Sequence, residues 1–212
     1  MPPTKPLGQM EFTILMAALS ALVAPAIDAM LPALPLIAVD LGVQRVNDSQ
    51  FVIGVFFLGM AFGQMLFGPM SDSIGRRPAI LLGMGLFAAG CLLSIFAASF
   101  EQMLLGRLLQ GVGAAGPRIV SIALVRDQFK GREMARIMSF VMTIFILVPV
   151  FAPALGQLML NLAGWRSIFV GFLLLVTMTA AWFWLRQPET LPRERRIPFS
   201  FGQVLADVSA RC

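Results

Sequence analysis

Six apolar runs of membrane-spanning length constrain the fold more than any other feature of this sequence. A helix rises about 1.5 Å per residue, so about 20 apolar residues cross the roughly 30 Å hydrocarbon core of a bilayer. We therefore predict an all-α membrane protein with six transmembrane helices. The predicted spans are residues 12–38, 51–71, 79–99, 102–125, 137–160 and 164–185.

The composition agrees with a lipid environment and excludes a soluble domain. Hydrophobic residues make up 58% of the chain and charged residues only 13%, whereas about a quarter of the residues in soluble domains are charged. The net charge of +5 could suggest a nucleic-acid partner. However, the basic residues lie between apolar runs instead of on one face of a soluble domain, so we predict no nucleic-acid partner.

The distribution of Lys and Arg predicts the orientation in the membrane. With a cytoplasmic N-terminus, twelve of these residues lie on the cytoplasmic side, and only Arg45 and Arg166 lie on the other side. Cytoplasmic loops carry an excess of positive residues, so we expect both termini to be cytoplasmic. The twelve are Lys5, Arg76, Arg77, Arg126, Lys130, Arg132, Arg136, Arg186, Arg193, Arg195, Arg196 and Arg211.

Polar segments between the runs predict the turns and the division of the chain. We expect the breaks between helices at 40–50, 72–78, 99–101, 126–136 and 161–165. We then predict an N-terminal segment (1–11), a six-helix bundle (12–186) and the beginning of a cytoplasmic linker (187–212). Pro32 and Pro35 predict a kink in the first span because proline cannot donate a helical hydrogen bond.

Three charged residues fall inside predicted spans: Asp28 in the first, and Arg107 and Arg118 in the fourth. A charge at the bilayer centre costs at least about 2.5 to 3.5 kcal/mol, so each is a candidate functional residue. The two arginines are eleven residues apart, which places them on one helix face about 16 Å apart along the axis. Such a face is poorly suited to contact with lipid.

The residue content argues against enzymatic alternatives. The chain has no His and only two Cys, which disfavours zinc sites, Ser-His catalysis and a disulfide framework. One acid deep in the spans cannot form an aspartyl pair. No Gly-x-x-x-x-Gly-Lys-Ser/Thr loop is present for ATP binding. We expect neither an enzyme nor a bound cofactor.

Several motifs resemble one family in the right order. Gly68-x-x-x-Asp72-x-x-Gly75-Arg76-Arg77 is similar to the loop between the second and third helices of the major facilitator superfamily, although Met70-Ser71 and Ser73 depart from its usual form. Residues 107–114 and 149–156 are similar to its fourth-helix motif and its fifth-helix antiporter motif. Residues 28–35 and 188–191 resemble the Bcr/CflA-type drug:proton antiporters, the bicyclomycin and chloramphenicol efflux group.

This resemblance implies the N-terminal half of a transporter with twelve helices, in which each half is a 3+3 inverted repeat and the substrate site lies between the halves. The implied function is multidrug efflux by proton antiport across the bacterial inner membrane, driven by the proton gradient. The implied partners are small-molecule drugs, protons, the lipid bilayer and a second six-helix half. A non-transporting six-helix membrane module or an inactive fragment stays open as an alternative.

The resemblance and the buried charges together suggest roles for individual residues. We hypothesise that Asp28 binds the coupling proton or a cationic drug, and that Arg107 changes how tightly Asp28 holds that proton. A static ion pair or a hydrogen-bonded cap at the kink stays open, and Arg118 could meet an anionic substrate group or a structural partner. The candidate residues for proton coupling and substrate binding are Asp28, Arg107 and Gln110. The candidates for a cytoplasmic gate are Asp72, Gly75, Arg76 and Arg77, and we expect Asp72 to accept from Arg126 or Arg136 or to cap a helix. The candidates for a helix bend are Pro149, Pro153 and Gly156.

Overall fold

The computed structural model describes residues 7–43 and 45–197, and this part of the chain is helical without a strand. Six helical stretches are long and apolar enough to cross a membrane, which confirms the predicted fold class. The helices are α1 (Gln9–Ala21), α2 (Val23–Asp28), α3 (Leu34–Asp40), α4 (Phe51–Ile74), α5 (Arg76–Ile95), α6 (Phe100–Gln128), α7 (Gly131–Ala163) and α8 (Arg166–Arg186). The first span consists of α1 to α3 with a 3₁₀ turn at Leu31–Ala33, and α4 to α8 are the other five spans.

The predicted segments at the two chain ends are described only in part. Residues 7–11 of the N-terminal segment and 187–197 of the C-terminal segment belong to the described residues, and the latter include a short 3₁₀ turn at Arg193–Arg195. The remainder of both segments lies outside them, including Lys5 and Arg211 of the basic set used to predict the orientation.

Two predicted loops on the Arg-rich side were wrong in extent. Residues 72–74 end α4 and Arg76 begins α5, so only Gly75 separates these helices. Its φ of +110° lies in a region that favours glycine. Likewise, α6 continues to Gln128 and α7 begins at Gly131. Charged side chains at helix ends reach the interface, where water solvates them, so a helix can continue beyond its apolar run.

The breaks on the opposite side also differ from the prediction. The chain turns at residues 96–98, and Ser99 is the N-cap of α6, where its hydroxyl accepts a hydrogen bond of 3.3 Å from the Gln102 N–H. Residues 161–163 still belong to α7, and the break is limited to Gly164 and Trp165. The break after α7 is therefore shorter than predicted, and the turn before α6 begins three residues earlier than predicted.

The predicted kink of the first span is confirmed as a break after Asp28. The N–H of Met30 donates to the Ile27 carbonyl at 3.3 Å, and that of Ala33 donates to Met30 at 2.9 Å. These shorter-range bonds replace the helical pattern, in which the Met30 N–H would reach the Ala26 carbonyl. The Ala26 carbonyl is thereby free for a partner from elsewhere in the bundle.

Helix α6 lies at the centre of the bundle, where it packs mainly against α4 and α5. Glycines make this contact possible. A Cβ on Gly59 of α4 would collide with the Leu108 backbone carbonyl, and one on Gly83 of α5 would lie 2.8 Å from both the Gly113 carbonyl oxygen and Pro117 Cδ. Close backbone approach at small residues is a common way to pack membrane helices. It holds α6 firmly between two neighbours.

Parts of α4 and α7 leave large apolar side chains uncovered. Ile146 and Val150 of α7 are 70% and 68% exposed, and Phe62 of α4 is 56% exposed. An apolar surface of this kind is stable against lipid or against another apolar protein surface. Helix α6, in contrast, is covered along most of its length.

We expect Gly83→Ala to lower the stability of the purified protein by about 1–3 kcal/mol, because the new methyl group must push α5 away from the α6 backbone. Gly85→Ala, two residues along the same helix, is the matched control, since a Cβ there meets nothing within 4 Å. Thermal unfolding in detergent measures both variants. Equal shifts in the two would contradict the close α5–α6 contact.

Candidate functional site

Arg107 is completely buried, and its guanidinium joins three parts of the bundle. Its Nη2 donates to the Ala26 carbonyl at 2.8 Å, its Nε to the Val52 carbonyl at 3.1 Å, and its Nη1 to Gln110 Oε1 at 2.6 Å. The guanidinium carbon also lies 4.5 Å from the centre of the Phe56 ring. One side chain of α6 therefore binds the first span, α4 and its own helix.

The bond to Ala26 explains how the break in the first span is stabilised. The Ala26 carbonyl has lost its helical partner, and Arg107 supplies a charged donor in its place. Gln110, also completely buried, donates from Nε2 to Ser94 Oγ at 3.1 Å and so links the group to α5. Of the two structural alternatives for Arg107, the structure contains the hydrogen-bonded cap at the kink.

Asp28 is the last residue of α2 and is only partly buried. Within residues 7–43 and 45–197 its carboxylate has no hydrogen bond and no ion pair, so the alternative of a static pair with Arg107 is not present. The carboxylate lies two residues beyond the carbonyl that Arg107 binds. This acid within a span therefore has no partner among the described side chains in this conformation.

Helix α7 approaches the same break at Gly156. A Cβ on Gly156 would collide with the carbonyl of Ala29, the residue after Asp28. Pro149 and Pro153 lie inside α7 and lack the N–H groups that would bond the carbonyls four residues before them. The motif that predicted a helix bend thus brings a proline-weakened stretch of α7 against the broken part of the first span.

Arg118 is partly buried and makes contacts different from those of Arg107. Its guanidinium carbon lies 4.3 Å from the centre of the Phe145 ring of α7. No hydrogen bond or ion pair of its side chain occurs within the described part of the chain. The two arginines that share one predicted helix face therefore have different surroundings: Arg107 donates to three oxygen acceptors, and Arg118 lies beside the ring of Phe145.

A second cluster surrounds the turn between α4 and α5, at the end of the bundle that we call the basic end (α4–α5 turn, α6–α7 turn and residues 186–197). Arg76 Nη1 lies 2.5 Å from Asp72 Oδ1 and donates to Ser71 Oγ at 2.7 Å, and its Nε donates to Asp127 Oδ2 at 3.2 Å. The acid of the motif thus pairs within its own turn. This corrects the expectation that Asp72 would accept from Arg126 or Arg136.

Glu189 binds the start of α5 from a distant part of the chain. Its carboxylate accepts from the N–H groups of Arg76 at 3.0 Å and Arg77 at 3.1 Å, and from those of Thr190 and Leu191 at 3.0 Å each. The first N–H groups of a helix lack internal partners and favour a negative charge. Glu189 therefore caps α5, a role that the sequence analysis had offered to Asp72.

The same contacts explain Gly75 and Arg77. A Cβ on Gly75 would lie 2.5 Å from Glu189 Oε2, so this residue must be small as well as conformationally free. Arg77 Nη2 donates to the Trp184 carbonyl at 2.6 Å near the end of α8. Together these bonds fix residues 184–191 across the α4–α5 turn.

Sequence reasoning missed Asp127 and Glu189 as members of this cluster. Residues 188–191 had been noticed as a motif, which was the available signal for Glu189. Asp127 stands in a charged stretch beside Arg126, and nothing in its spacing singled it out. Both are about 50 or more positions from Arg76 in the chain, with separations of 51 and 113 residues, so only the folded bundle brings them together.

An open groove of about 440 Å³ lies between α1 and α7 at the basic end. Its lining includes Thr13 and Ile14 of α1 and Arg136, Phe140 and Thr143 of α7. Asp28, Arg107 and Arg118 do not contribute to it. This groove is therefore separate from the charged residues within the spans.

Comparison with known families identifies one match over nearly the whole chain. Residues 14–208 match the family model described as Major Facilitator Superfamily. Two solved structures share the fold: the human organic anion transporter MFSD10, with a TM-score of 0.70 at 22% identity, and a D-xylose–proton symporter, with a TM-score of 0.72 at 17% identity. Each covers at least 93% of this chain, which in turn covers 53% of each.

Three curated relatives are closer in sequence. An uncharacterised transporter of this type from Bacillus subtilis, YdgK, is 37% identical over 83% of the chain. A bicyclomycin resistance protein homologue from Haemophilus influenzae is 35% identical over 88%, and a chloramphenicol resistance protein from Pseudomonas aeruginosa is 34% identical over 84%. The chain spans about half the length of these relatives, between 42% and 47%.

We expect Arg107→Met to destabilise the folded protein by about 1–3 kcal/mol, because the Ala26 carbonyl and the Gln110 amide oxygen would lose a charged donor in a buried setting. Arg126→Met in the same helix is the control, since Arg126 is exposed. Unfolding by a denaturing detergent in mixed micelles gives the two free energies. A loss for Arg107→Met no larger than for Arg126→Met would refute the capping role.

We expect Glu189→Gln to release residues 187–197 from the α4–α5 turn, because a neutral amide has one acceptor oxygen and no charge to offer the start of α5. Hydrogen exchange at the Arg76 and Arg77 amides should accelerate by about tenfold, equivalent to about 1.4 kcal/mol. Glu194→Gln, at an exposed position of the same segment, should leave these rates unchanged. Unchanged exchange in Glu189→Gln would show that the cap contributes no protection.

Proposed function

Because the chain belongs to the Major Facilitator Superfamily, we propose that it is the N-terminal half of a drug:proton antiporter of the Bcr/CflA type, which exports drugs across the bacterial inner membrane. The names of two relatives, a bicyclomycin resistance protein homologue and a chloramphenicol resistance protein, support drugs as the substrates. The lengths of the relatives support a second six-helix half, because this chain covers less than half of each.

The observation that carries this proposal is the unpaired carboxylate of Asp28 at the break of the first span. An ionisable group inside a membrane span is costly and is retained where it carries a substrate or a proton. Asp28 has no partner among the described side chains and lies at a point where the helix is already interrupted. It is therefore available to bind either a proton or a cationic drug.

If Asp28 binds either a proton or a cationic drug, but not both at once, binding of one releases the other. A carboxylate that holds a proton is neutral and gives up its attraction for a cationic drug, whereas loss of the proton restores it. In the proposed cycle Arg107 moves between the Ala26 carbonyl, which it binds here at 2.8 Å, and the Asp28 carboxylate two residues away. Gln110 holds the arginine in place through its 2.6 Å bond and is a positioning residue in this scheme.

The cluster at the basic end is proposed to act as the cytoplasmic gate. Asp72, Gly75, Arg76 and Arg77 would keep this end closed while the opposite end is open, with Asp127 and Glu189 as additional acceptors. Exposed ion pairs contribute only about 0 to 1 kcal/mol each. Such amounts are sufficient to shift two conformations of similar energy.

The proposed orientation places the basic end and both termini in the cytoplasm. This follows from the excess of Lys and Arg at that end. Residues 12–186 would form the bundle, and residues 187–212 would begin the connection to the second half, with Pro149, Pro153 and Gly156 allowing α7 to bend during the cycle. The proton gradient supplies the energy, so no cofactor is required.

A non-transporting six-helix module is the competing function. It would need no ionisable group at the break of the first span, and Asp28 could be replaced without a change in proton binding. No feature of the described residues favours it, and the relatives quoted above have the names of transporters or resistance proteins.

The experiment is proton release by the purified protein in weakly buffered detergent when a lipophilic cation is added. We expect a pH drop with this chain, or with the same chain joined to a second six-helix half, and its loss in Asp28→Asn. Glu133→Gln, which neutralises an exposed acid at the start of α7, is the matched control and should retain the release. Undiminished release in Asp28→Asn would remove the proposed carrier role.

A further inference from the structure

Arg118 is a charged side chain inside the fourth span that the proposed proton cycle does not use. Its contact with the described residues is the face of Phe145, at 4.3 Å, and it has no hydrogen bond or ion pair with any residue in 7–43 or 45–197. A guanidinium has five N–H donors, and Arg107, eleven residues earlier, uses three acceptors. The donors of Arg118 are thus left for a partner outside the bundle.

The position of Arg118 does not suit an interaction with lipid headgroups. It lies ten residues before the end of α6 at Gln128, about 15 Å along the axis. Helical side chains lean towards the N-terminus of their helix, so Arg118 points away from this nearer end. A guanidinium at this depth must therefore meet water or an acceptor within the protein.

Two serines close the bundle next to Arg118. Ser121, one turn further along α6, has its Oγ 3.2 Å from Ser20 Oγ of α1, and both residues are buried. The Ser121 hydroxyl also donates to the Arg118 backbone carbonyl at 3.0 Å. Helices α1 and α6 are thereby in contact towards the basic end, while Arg118 and Phe145 both stay partly accessible. The guanidinium of Arg118 and the ring of Phe145 therefore lie beside the contact between α1 and α6.

We propose that Arg118 and Phe145 form a recognition subsite for an aromatic substrate that carries a planar anionic group such as a carboxylate. The planar guanidinium matches the two oxygens of a carboxylate and forms paired, charge-assisted hydrogen bonds with them. The ring of Phe145 holds the guanidinium from one face and offers an edge to the aromatic ring of the ligand. This subsite rests on the proposed function, because it names one substrate class of that transporter.

The subsite is spatially distinct from Asp28. Helix α7 contacts Arg118 through Phe145 and the neighbourhood of Asp28 through Gly156. These α7 residues are eleven positions apart, or about 16 Å along the helix. An anionic substrate at Arg118 therefore does not displace the proton at Asp28 by direct overlap. In this scheme Arg118 binds the anionic group of a substrate, and Asp28 binds a proton or a cationic drug.

The test compares binding of naphthalene-2-carboxylate and the neutral naphthalene-2-carboxamide to the 212-residue chain in phosphatidylcholine nanodiscs at neutral pH. Empty nanodiscs give the correction for partition into lipid. The two probes have the same ring and shape, so their difference reports the anionic group. We expect the carboxylate to bind at least about tenfold more tightly, in keeping with a charge-assisted bond, and Arg118→Gln to abolish the difference.

Arg118→Lys and Arg126→Gln complete the series. Lysine keeps the charge but lacks the planar fork, so its preference should fall at least about threefold below that of the unmodified protein. Arg126→Gln removes a charge from the exposed end of the same helix and should keep the full preference. The subsite is refuted if the unmodified protein fails to prefer the carboxylate, or if Arg118→Gln or Arg118→Lys retains the full preference.

The outcome is separable from that of the proton experiment. If Arg118→Gln and the unmodified protein bind both probes alike while a lipophilic cation still releases protons through Asp28, the subsite is wrong and the transporter stands. If the carboxylate preference depends on Arg118 but Asp28→Asn retains proton release, the subsite is supported and the proton carrier is wrong.

Discussion

The bond between Arg107 and the Ala26 carbonyl is the interaction on which the centre of this bundle depends. The first span is interrupted after Asp28, where the Met30 N–H bonds the Ile27 carbonyl, and lipid cannot satisfy the Ala26 carbonyl that is left without its helical partner. A buried guanidinium with three acceptors meets this need at 2.8 Å while also binding α4 and Gln110. Three oxygen acceptors and the face of the Phe56 ring offset the cost of burying this charge.

Within the described residues, this arrangement leaves the Asp28 carboxylate without a partner, although its charge is opposite to that of Arg107. An ion pair between Asp28 and Arg107 would neutralise both residues and make the break static. The described structure instead satisfies the arginine with backbone and amide oxygens, and the carboxylate keeps its capacity for a proton or a cation. A group that exchanges ligands has to be weakly held by the protein itself, so the lack of a partner for Asp28 among the described residues supports the function that we propose.

At the basic end, acidic side chains from remote segments of the chain cap helix ends and link them. Glu189 satisfies the first N–H groups of α5, and Asp127 accepts from Arg76, so the chain after α8 and the end of α6 are both bound to the same turn. The carboxylates of Asp127 and Glu189 are partly exposed, so water competes with these bonds. They can therefore open and close at low cost, unlike the buried contacts around Arg107.

The sequence alone determined the class of fold, the six spans and the break in the first of them, because apolar length and proline act locally. It also identified the three charged residues within the spans by their cost in lipid. Only the tertiary structure decided which groups the charged residues of the chain bind: Arg107 binds a carbonyl rather than Asp28, Asp72 pairs with Arg76, and Glu189 caps α5. Partner choice depends on which distant backbone groups are left unsatisfied, and that is known only once the helices have packed.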